Sequence, residues 1–560
     1  MDERIGPRAW RECYAHPGEW QQSFAPLAMT DMFAASVAEH GDRALVDFLG
    51  RQFSYRDIAA EARRFASGLQ SLGLVKGDRV GLHLPNVPAY LPAFFGALIA
   101  GATAVDFSPF LTPAGLEAQL ADSGTRLLVT LDVPALLPTA GRLLRESALE
   151  WLVVVRLSGQ LPFWKGLGRR LLGRGDMAPL PGSSRVFEWS ELQLDREPDA
   201  VAIDPLVDIA MLQYTGGTVG TPRGVMLSHQ NLTANARQVE AIDPHAHRRD
   251  VALGVLPPGD AFANTCVLNR TVYDGGMIAM LPRFQAGKAL ATIERTRVTA
   301  MAGVPAMYEA MLADPAMATT DLSSLFTCIC GGSPLDPLLK ARFEKASGAK
   351  LVEAYGLAET AGAAVSNPFD GREGPGSVGH PLPGTDMLLL DLDEPGSPAA
   401  PGEPGELAIA GPQVMPGYWN RPETTAFADL EGHRWLRTGD AAAIDEDGYV
   451  HILGRIGDTI AVAGARVYPS QVEAVLLAHP AVREAAVVAA GGVGGRGETP
   501  RAFVVADPLA GASARDIAEW LNARVGQRER VDRVELRPSL PRTAAGKLDR
   551  KALRFEAAGG

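Results

Sequence analysis

One stretch of the chain concentrates the groups that hold an anion. Tyr214-Thr215-Gly216-Gly217-Thr218-Val219-Gly220-Thr221-Pro222-Arg223-Gly224-Val225 packs four glycines, three threonines and one cation into twelve residues. Glycine lets backbone N–H groups approach an anion closely, while hydroxyls and a guanidinium add further donors. That set suits a polyphosphate. It is not a Walker loop, because no Gly-Lys-Ser/Thr ending is present. Other clusters carry less. His245 and His247 form a His-x-His with no third ligand near them and read as a solvated loop. Gly491-Gly492-Val493-Gly494-Gly495 resembles a dinucleotide turn only in composition and reads as a loop between two strands. Cys13, Cys266, Cys328 and Cys330 lack metal-finger or disulfide-framework spacing, which points to a reducing, cytosolic compartment.

The elements that must position the loop can be read around it. The chain has 560 residues, 46% apolar and 21% charged, an ordinary globular mix that excludes wholesale disorder. A formal net charge of −12 argues against general nucleic-acid binding. Arg79–Leu84, Leu127–Leu131, Trp151–Arg156 and Ile209–Gln213 have strand character, and Tyr55–Leu72 shows apolar residues at helical spacing. This alternation predicts α/β architecture: parallel sheets flanked by helices. Val87–Val105 carries no charge, but Pro88, Pro92, Gly96 and Gly101 interrupt it, so a buried core helix is expected rather than a membrane span.

From Met387 the texture changes. Met387–Leu392 and Glu406–Ile409 read as strands around an exposed Pro/Gly-rich loop, a small β region. Beyond Gly454 the pattern is that of a compact α+β unit: a helix opened by Tyr468-Pro469-Ser470, strands at Ala485–Ala489 and Ala502–Val505, a helix carrying Ile517, Trp520, Leu521 and Val525, and a strand at Val531–Leu536. The expected division is therefore a large N-terminal part over 1–454, a hinge at 455–458, and a small mobile C-terminal domain over 459–560.

Five segments in fixed order carry a family resemblance: the Tyr214–Val225 loop; Gly331-Gly332-Ser333-Pro334-Leu335; Tyr355-Gly356-Leu357-Ala358-Glu359-Thr360; Trp435-Leu436-Arg437-Thr438-Gly439-Asp440; and Pro541-Arg542-Thr543-Ala544-Ala545-Gly546-Lys547. Gly411–Trp419 adds a sixth. They resemble the acyl-adenylate-forming (AMP-binding) superfamily of acyl-CoA synthetases, peptide-synthetase adenylation domains and luciferases. The overall texture is most similar to bacterial long-chain fatty-acyl-CoA ligases.

The resemblance implies ATP, Mg²⁺ and coenzyme A as co-reactants and a carboxylic acid as substrate. It implies nucleotide contacts from Thr215, Gly216, Gly217, Thr218, Gly220 and Thr221, from Gly331, Gly332 and Ser333, from Tyr355 and Gly356, and from Asp440 and Arg455. Glu359 would be the Mg²⁺ ligand, since a hard cation takes carboxylate oxygens. Lys547 and Arg223 would hold negative charge during attack on the α-phosphorus. Gly464 and Arg466 would border the coenzyme A thiol tunnel, Gly457 would be the hinge, and the acyl pocket would lie near Asp260, Phe262, Val267, Val304, Pro305, Met307 and Tyr308. Ala523–Arg554, with ten basic and four acidic residues, would be a thiol-donor docking face or an ion-paired surface.

Several residues depart from the family pattern. Arg223 stands where lysine is usual, Ala358 replaces a threonine, Asp260 occupies a frequent histidine position, and Gly457 and Ala461 replace polar hinge-region residues. The reaction implied is formation of an acyl-adenylate with release of pyrophosphate, then displacement of AMP by a thiol. The primary expectation is a medium- or long-chain fatty-acyl-CoA ligase. Alternatives are a ligase for another acid (aromatic or dicarboxylic), an acyl-AMP ligase serving a carrier protein, and a nucleotide- or acyl-binding homologue of impaired catalysis. Localisation is expected to be cytoplasmic, and Leu161–Gly175, which interleaves apolar and basic residues, could lie on an anionic inner-membrane surface.

Overall fold

The computed structural model describes residues 8–162, 178–215, 222–246, 248–374, 376–422, 425–491, 498–542 and 548–558. Lys547, the Gly216–Thr221 part of the glycine-rich loop, most of Leu161–Gly175, His247 and Gly492–Gly495 lie outside them.

Two sheets with parallel centres build the N-terminal part. The first has eight strands, in the order Gly417–Tyr418, Arg223–Ser228, Ile209–Thr215, Thr103–Asp106, Arg79–His83, Leu127–Leu131, Trp151–Val155 and Val186–Glu188. Its strands run parallel from Ile209–Thr215 onward, and the first two are antiparallel. The second has nine strands. Its centre runs parallel from Lys350–Tyr355 through Thr327–Cys330, Ala300–Gly303, Val251–Gly254 and Met277–Met280 to Ala44–Phe48, with antiparallel strands at both edges.

Helices fill the space between these sheets. Tyr55–Ser71 starts at a capping box, in which Ser54 and Asp57 exchange side-chain and backbone hydrogen bonds. Tyr90–Ile99, the uncharged stretch, is buried from Tyr90 to Leu98. Phe95 stacks on Phe33 of the helix Met29–His40 with ring centroids 3.9 Å apart, and one apolar core takes residues from both sheets. Among the described residues no helix is long and apolar enough to cross a membrane.

A five-stranded antiparallel sheet follows. It includes Asp386–Leu390, Gly405–Ala410 and the long strand His433–Ile444, which pairs with Val450–Arg455. The smaller C-terminal unit has the hairpin Ile460–Val462/Ala465–Val467, the sheet Val482–Gly491, Glu498–Ala506 and Val534–Leu536, and helices Pro469–Leu477, Ala514–Asn522 and Arg550–Ala557. Val472, Leu476, Ile517 and Leu521 share its core. The last strand is shorter than the expected Val531–Leu536, because Val531 N–H donates to Asn522 Oδ1 and pairing in the sheet begins at Val534.

Candidate nucleotide and acyl site

The glycine-rich loop is the turn of a hairpin. Thr215 ends one strand, Arg223 begins the next, and the two residues pair across its base. The second strand pairs in turn with Gly417–Tyr418, which places Tyr418 opposite Val225. The Arg223 guanidinium lies over the Tyr418 ring, 5.3 Å from its centroid, and the Tyr418 hydroxyl donates to Glu359 Oε1 at 2.6 Å. Burial and the Glu359 charge both raise the Tyr418 phenol above its ordinary range, so it stays a donor. Glu359 sits on the short 3₁₀ turn Ala358–Thr360, which the Thr360 hydroxyl ties to the Leu357 N–H at 3.0 Å. Gly356 is required there: a Cβ would collide with the Gly362 carbonyl where the chain folds back on itself.

Tyr355 ends the neighbouring strand and reaches the long antiparallel sheet. Its hydroxyl donates to Asp440 Oδ2 at 2.6 Å, while Arg455 Nε lies 3.0 Å from Asp440 Oδ1. Asp440 and Arg455 are register partners, so one strand pair fixes both. Asp440 is 4% exposed. Burial raises its pKa, opposed by Arg455 and by the Tyr355 hydrogen bond. Arg455 is held above its ordinary value: burial works against the cation, and Asp440, Tyr355 and Glu359 outweigh it. Together these side chains form a carboxylate–phenol–guanidinium network within the field of the Glu359 charge.

Gly331, Gly332 and Ser333 follow the strand Thr327–Cys330, beside the strand of Tyr355. A Cβ at Gly331 would press on the Phe262 ring, and Gly332, at φ +81°, faces Val304. Val267 lies in a π-helical turn, Asn264–Asn269, and lines a small cleft with Asn86, Leu256, Pro258, Ala263 and Met280. Asp260 caps the adjoining turn through the N–H groups of Phe262 and Ala263. Met307 packs elsewhere, against the core that holds Tyr308 and Met311, away from this cleft.

In the C-terminal unit, Gly464 (φ +78°) follows Ala463 (φ +48°) at the tip of a two-residue hairpin. Two positive φ values are what a type I′ turn needs, a structural reason for glycine independent of any ligand. Arg466 pairs with Asp393 of the N-terminal part at 2.6 Å. Gly457 lies in the short 3₁₀ turn Ile456–Asp458, with a negative φ and open space where a Cβ would stand. Its carbonyl accepts from Arg554, which also pairs with Asp458. In the basic stretch, Arg537, Arg542, Arg550 and Arg554 are ion-paired.

Residues 33–419 match the AMP-binding enzyme family, and residues 471–547 match the AMP-binding enzyme C-terminal domain. The chain belongs to the AMP-binding enzymes. Within that family it is 36% identical over 523 residues to a long-chain-fatty-acid–CoA ligase of Bacillus subtilis (strain 168), covering 92% of each chain. It is 35% identical to the corresponding ligase of Escherichia coli O157:H7, covering 95% of each. An anthranilate CoA ligase solved with anthranoyl-AMP superimposes with a TM-score of 0.82 at 25% identity, over 96% of this chain and 99% of that one. Tyr418 is the site residue that motif reading missed as a functional group, although it lies in the quoted Gly411–Trp419 segment. Nothing in its local sequence shows that the hairpin strand beside it brings Glu359 within reach.

Proposed function

We propose that this chain activates a medium- or long-chain fatty acid with ATP and transfers the acyl group to coenzyme A. The observation that carries this is the Tyr355–Asp440–Arg455 network, with Glu359 beside the glycine-rich hairpin, in a chain similar to fatty-acid ligases over nearly its whole length. Asp440 supplies a fixed, buried carboxylate that can accept from paired hydroxyls of a ribose, exchanging its present donors for them. Tyr355 offers an aromatic face at the strand end for the base. Arg455 and Arg223 supply positive charge toward phosphate, and Arg223 can bind it through two N–H groups at once.

Among the described residues no three His, Cys, Asp or Glu are placed so that they could hold a metal ion together. Glu359 would therefore hold Mg²⁺ as a single protein carboxylate, with nucleotide phosphates completing an oxygen shell, which suits that cation. When bound, Mg²⁺ neutralises phosphate charge. Lys547 would stabilise the charge that develops as the substrate carboxylate attacks the α-phosphorus and pyrophosphate leaves. The thiol of coenzyme A then attacks the acyl carbonyl and AMP departs. Rotation of 459–560 about 455–458 would exchange the Lys547 loop for the thiol path, with Gly464 and Arg466 beside it. The chain would act in the cytoplasm.

Pyrophosphate release across a panel of acids, with and without coenzyme A, tests the reading. Release with a fatty acid, and thioester plus AMP only when coenzyme A is added, is the expected result. No release with any acid while ATP still binds would overturn it in favour of a non-catalytic binder.

A further inference from the structure

The base of the glycine-rich hairpin is gripped from outside by a residue that the reaction above does not use. The helix Pro113–Ser123 ends at Gly124, which lies in the left-handed region at φ +60°. The last carbonyls of a helix have no partners within it. The Gly124 N–H takes those of Leu120 and Ala121. The Asp122 carbonyl instead accepts two side-chain donors from a distant segment, the Trp419 indole N–H at 3.1 Å and the Asn420 amide at 3.0 Å.

The Asp122 side chain reaches the other flank of the hairpin. Its Oδ2 accepts from the Tyr214 hydroxyl at 2.7 Å. Burial first, and then the Asp122 charge, raise the Tyr214 phenol above its ordinary range, so it stays a donor. Tyr214 and Trp419 also close on one glycine. A Cβ at Gly224 would lie 3.2 Å from Trp419 Cβ and 3.3 Å from Tyr214 Cζ, and the Gly224 carbonyl accepts from the Trp419 N–H at 2.7 Å. Gly224 is thus sandwiched between two aromatic residues whose polar groups end on Asp122: the phenol on its carboxylate, the indole on its carbonyl.

This grip bears on the site. Gly224 follows Arg223 and pairs with Tyr214 across the hairpin. Trp419 follows Tyr418, whose strand is only two residues long. So short an edge strand has little hold of its own on the sheet, and its flanking contacts decide where Tyr418 stands. Before it, the Met415 N–H donates to the Glu359 carbonyl. After it, the Asp122 contacts close the segment. Tyr418 then carries the Arg223 guanidinium over its ring and the hydrogen bond to Glu359.

We propose that Asp122 is a positioning residue for ATP, which through Tyr214 and Trp419 holds Arg223, Tyr418 and hence Glu359 in register with the triphosphate. The inference rests on the ligase reading for what those groups bind. Asp122 acts through its neighbours and takes no part in the bond-making steps.

Three substitutions test the side-chain arm while leaving the carbonyl contacts available. Asp122→Ala removes the acceptor of the Tyr214 hydroxyl, Tyr214→Phe removes the donor but keeps the ring, and Asp122→Asn keeps an acceptor oxygen. In titration calorimetry with Mg²⁺ and a non-hydrolysable ATP analogue, Asp122→Ala and Tyr214→Phe should each bind roughly tenfold more weakly, the scale of losing a partner that orients a binding group. The double variant should bind no more weakly than either alone, because both remove one contact. Asp122→Asn should stay within about twofold of the wild type, since the phenol keeps a neutral hydrogen bond. In pyrophosphate release with dodecanoate, the KM for ATP should rise in the two weakened variants while the KM for the acid holds. Affinities within about twofold of the wild type in both would overturn the inference, being less than one ordinary hydrogen bond. So would an Asn variant as weak as the Ala variant, or an equal rise in both KM values, which is what general loosening gives. Calorimetry needs no turnover: a wild type that binds ATP yet releases no pyrophosphate with any acid overturns the ligase reading, while the affinities still decide the role of Asp122.

Discussion

Replacing Tyr355 by Phe should move stability and nucleotide affinity in opposite directions. The ring remains, so any stacking surface is kept, while the 2.6 Å hydrogen bond to Asp440 Oδ2 is lost. A hydrogen bond to a charged group contributes about 1.5–3 kcal/mol, and Asp440 is buried enough for that range to apply. Spread over an N-terminal part of about 450 residues, with unfolding entropy near 2.1 cal/mol/K per residue, the loss corresponds to a Tm lower by roughly 2–3 °C. Nucleotide binding should change the other way. A ribose hydroxyl that takes Asp440 Oδ2 must displace the phenol in the wild type, and no displacement is needed in the variant. ATP affinity should hold or improve, by about tenfold to 10²-fold if the whole of that 1.5–3 kcal/mol no longer has to be given up on binding. Differential scanning calorimetry and titration calorimetry with a non-hydrolysable ATP analogue measure the two effects. A tenfold loss of affinity with unchanged Tm would refute the reasoning, because it would mean that the hydroxyl serves the nucleotide directly and not Asp440.

Tyr418→Phe releases Glu359 Oε1 from its hydroxyl partner and should lower pyrophosphate release by roughly tenfold or more, with the loss partly recovered at high Mg²⁺; a loss indifferent to Mg²⁺ would separate Tyr418 from the Glu359 role. Lys547→Ala should reduce adenylate formation by about 10²–10³ while sparing thioester formation from preformed acyl-AMP, and equal loss in both half-reactions would argue against an exchange of loops. Gly464→Ala puts a Cβ at φ +78° and should destabilise the hairpin Ile460–Val467 by about 1–2 kcal/mol, read as faster amide exchange confined to that hairpin; unchanged exchange would refute the turn argument. Asp106 holds its proton up to about pH 7 in the folded chain but loses it above about 3.8 when unfolded, so its stabilising contribution is full at low pH and is lost as pH rises toward 7. Asp106→Asn should accordingly lose less stability than the wild type between pH 5 and 8, measured as denaturant midpoints, and equal losses would refute the assignment.

Local pattern carried much of the fold because it reports burial directly. Leu127–Leu131 is a strand with the ends its apolar run suggests, and Tyr55–Leu72 is a helix ending one residue early. The order of strands in the sheets was not legible, since Thr103–Asp106 sits between Ile209–Thr215 and Arg79–His83 through contacts that sequence spacing does not encode. Fixed-order motifs pointed to Tyr355, Glu359 and Asp440, the family resemblance to Arg455 beside the hinge, and the strand pairing shows why Asp440 and Arg455 meet. Three kinds of residue stayed hidden. Tyr418 meets its partner Glu359 from a distant segment of the chain. Arg270 is buried among Glu240, Asp243 and Asp250, a charge cluster with no apolar period to announce it. Gly464 was read from the family resemblance as room for a thiol, whereas its backbone conformation alone accounts for a glycine.

The charges around the site are unevenly placed, and that unevenness has a chemical consequence. Arg223 lies at the base of the glycine-rich hairpin and Arg455 beside Asp440, while Asp106 packs on Gly259 and Asp260 follows that glycine in the chain. An amphiphilic acid entering this field is oriented before any specific contact forms. Its carboxylate would be drawn to the arginines and repelled by Asp260, so the head group would turn toward the cations. Asp260 in place of a neutral or cationic side chain thus need not impair an enzyme that binds anions: from the acyl side it reinforces the orientation that the arginines impose from the nucleotide side.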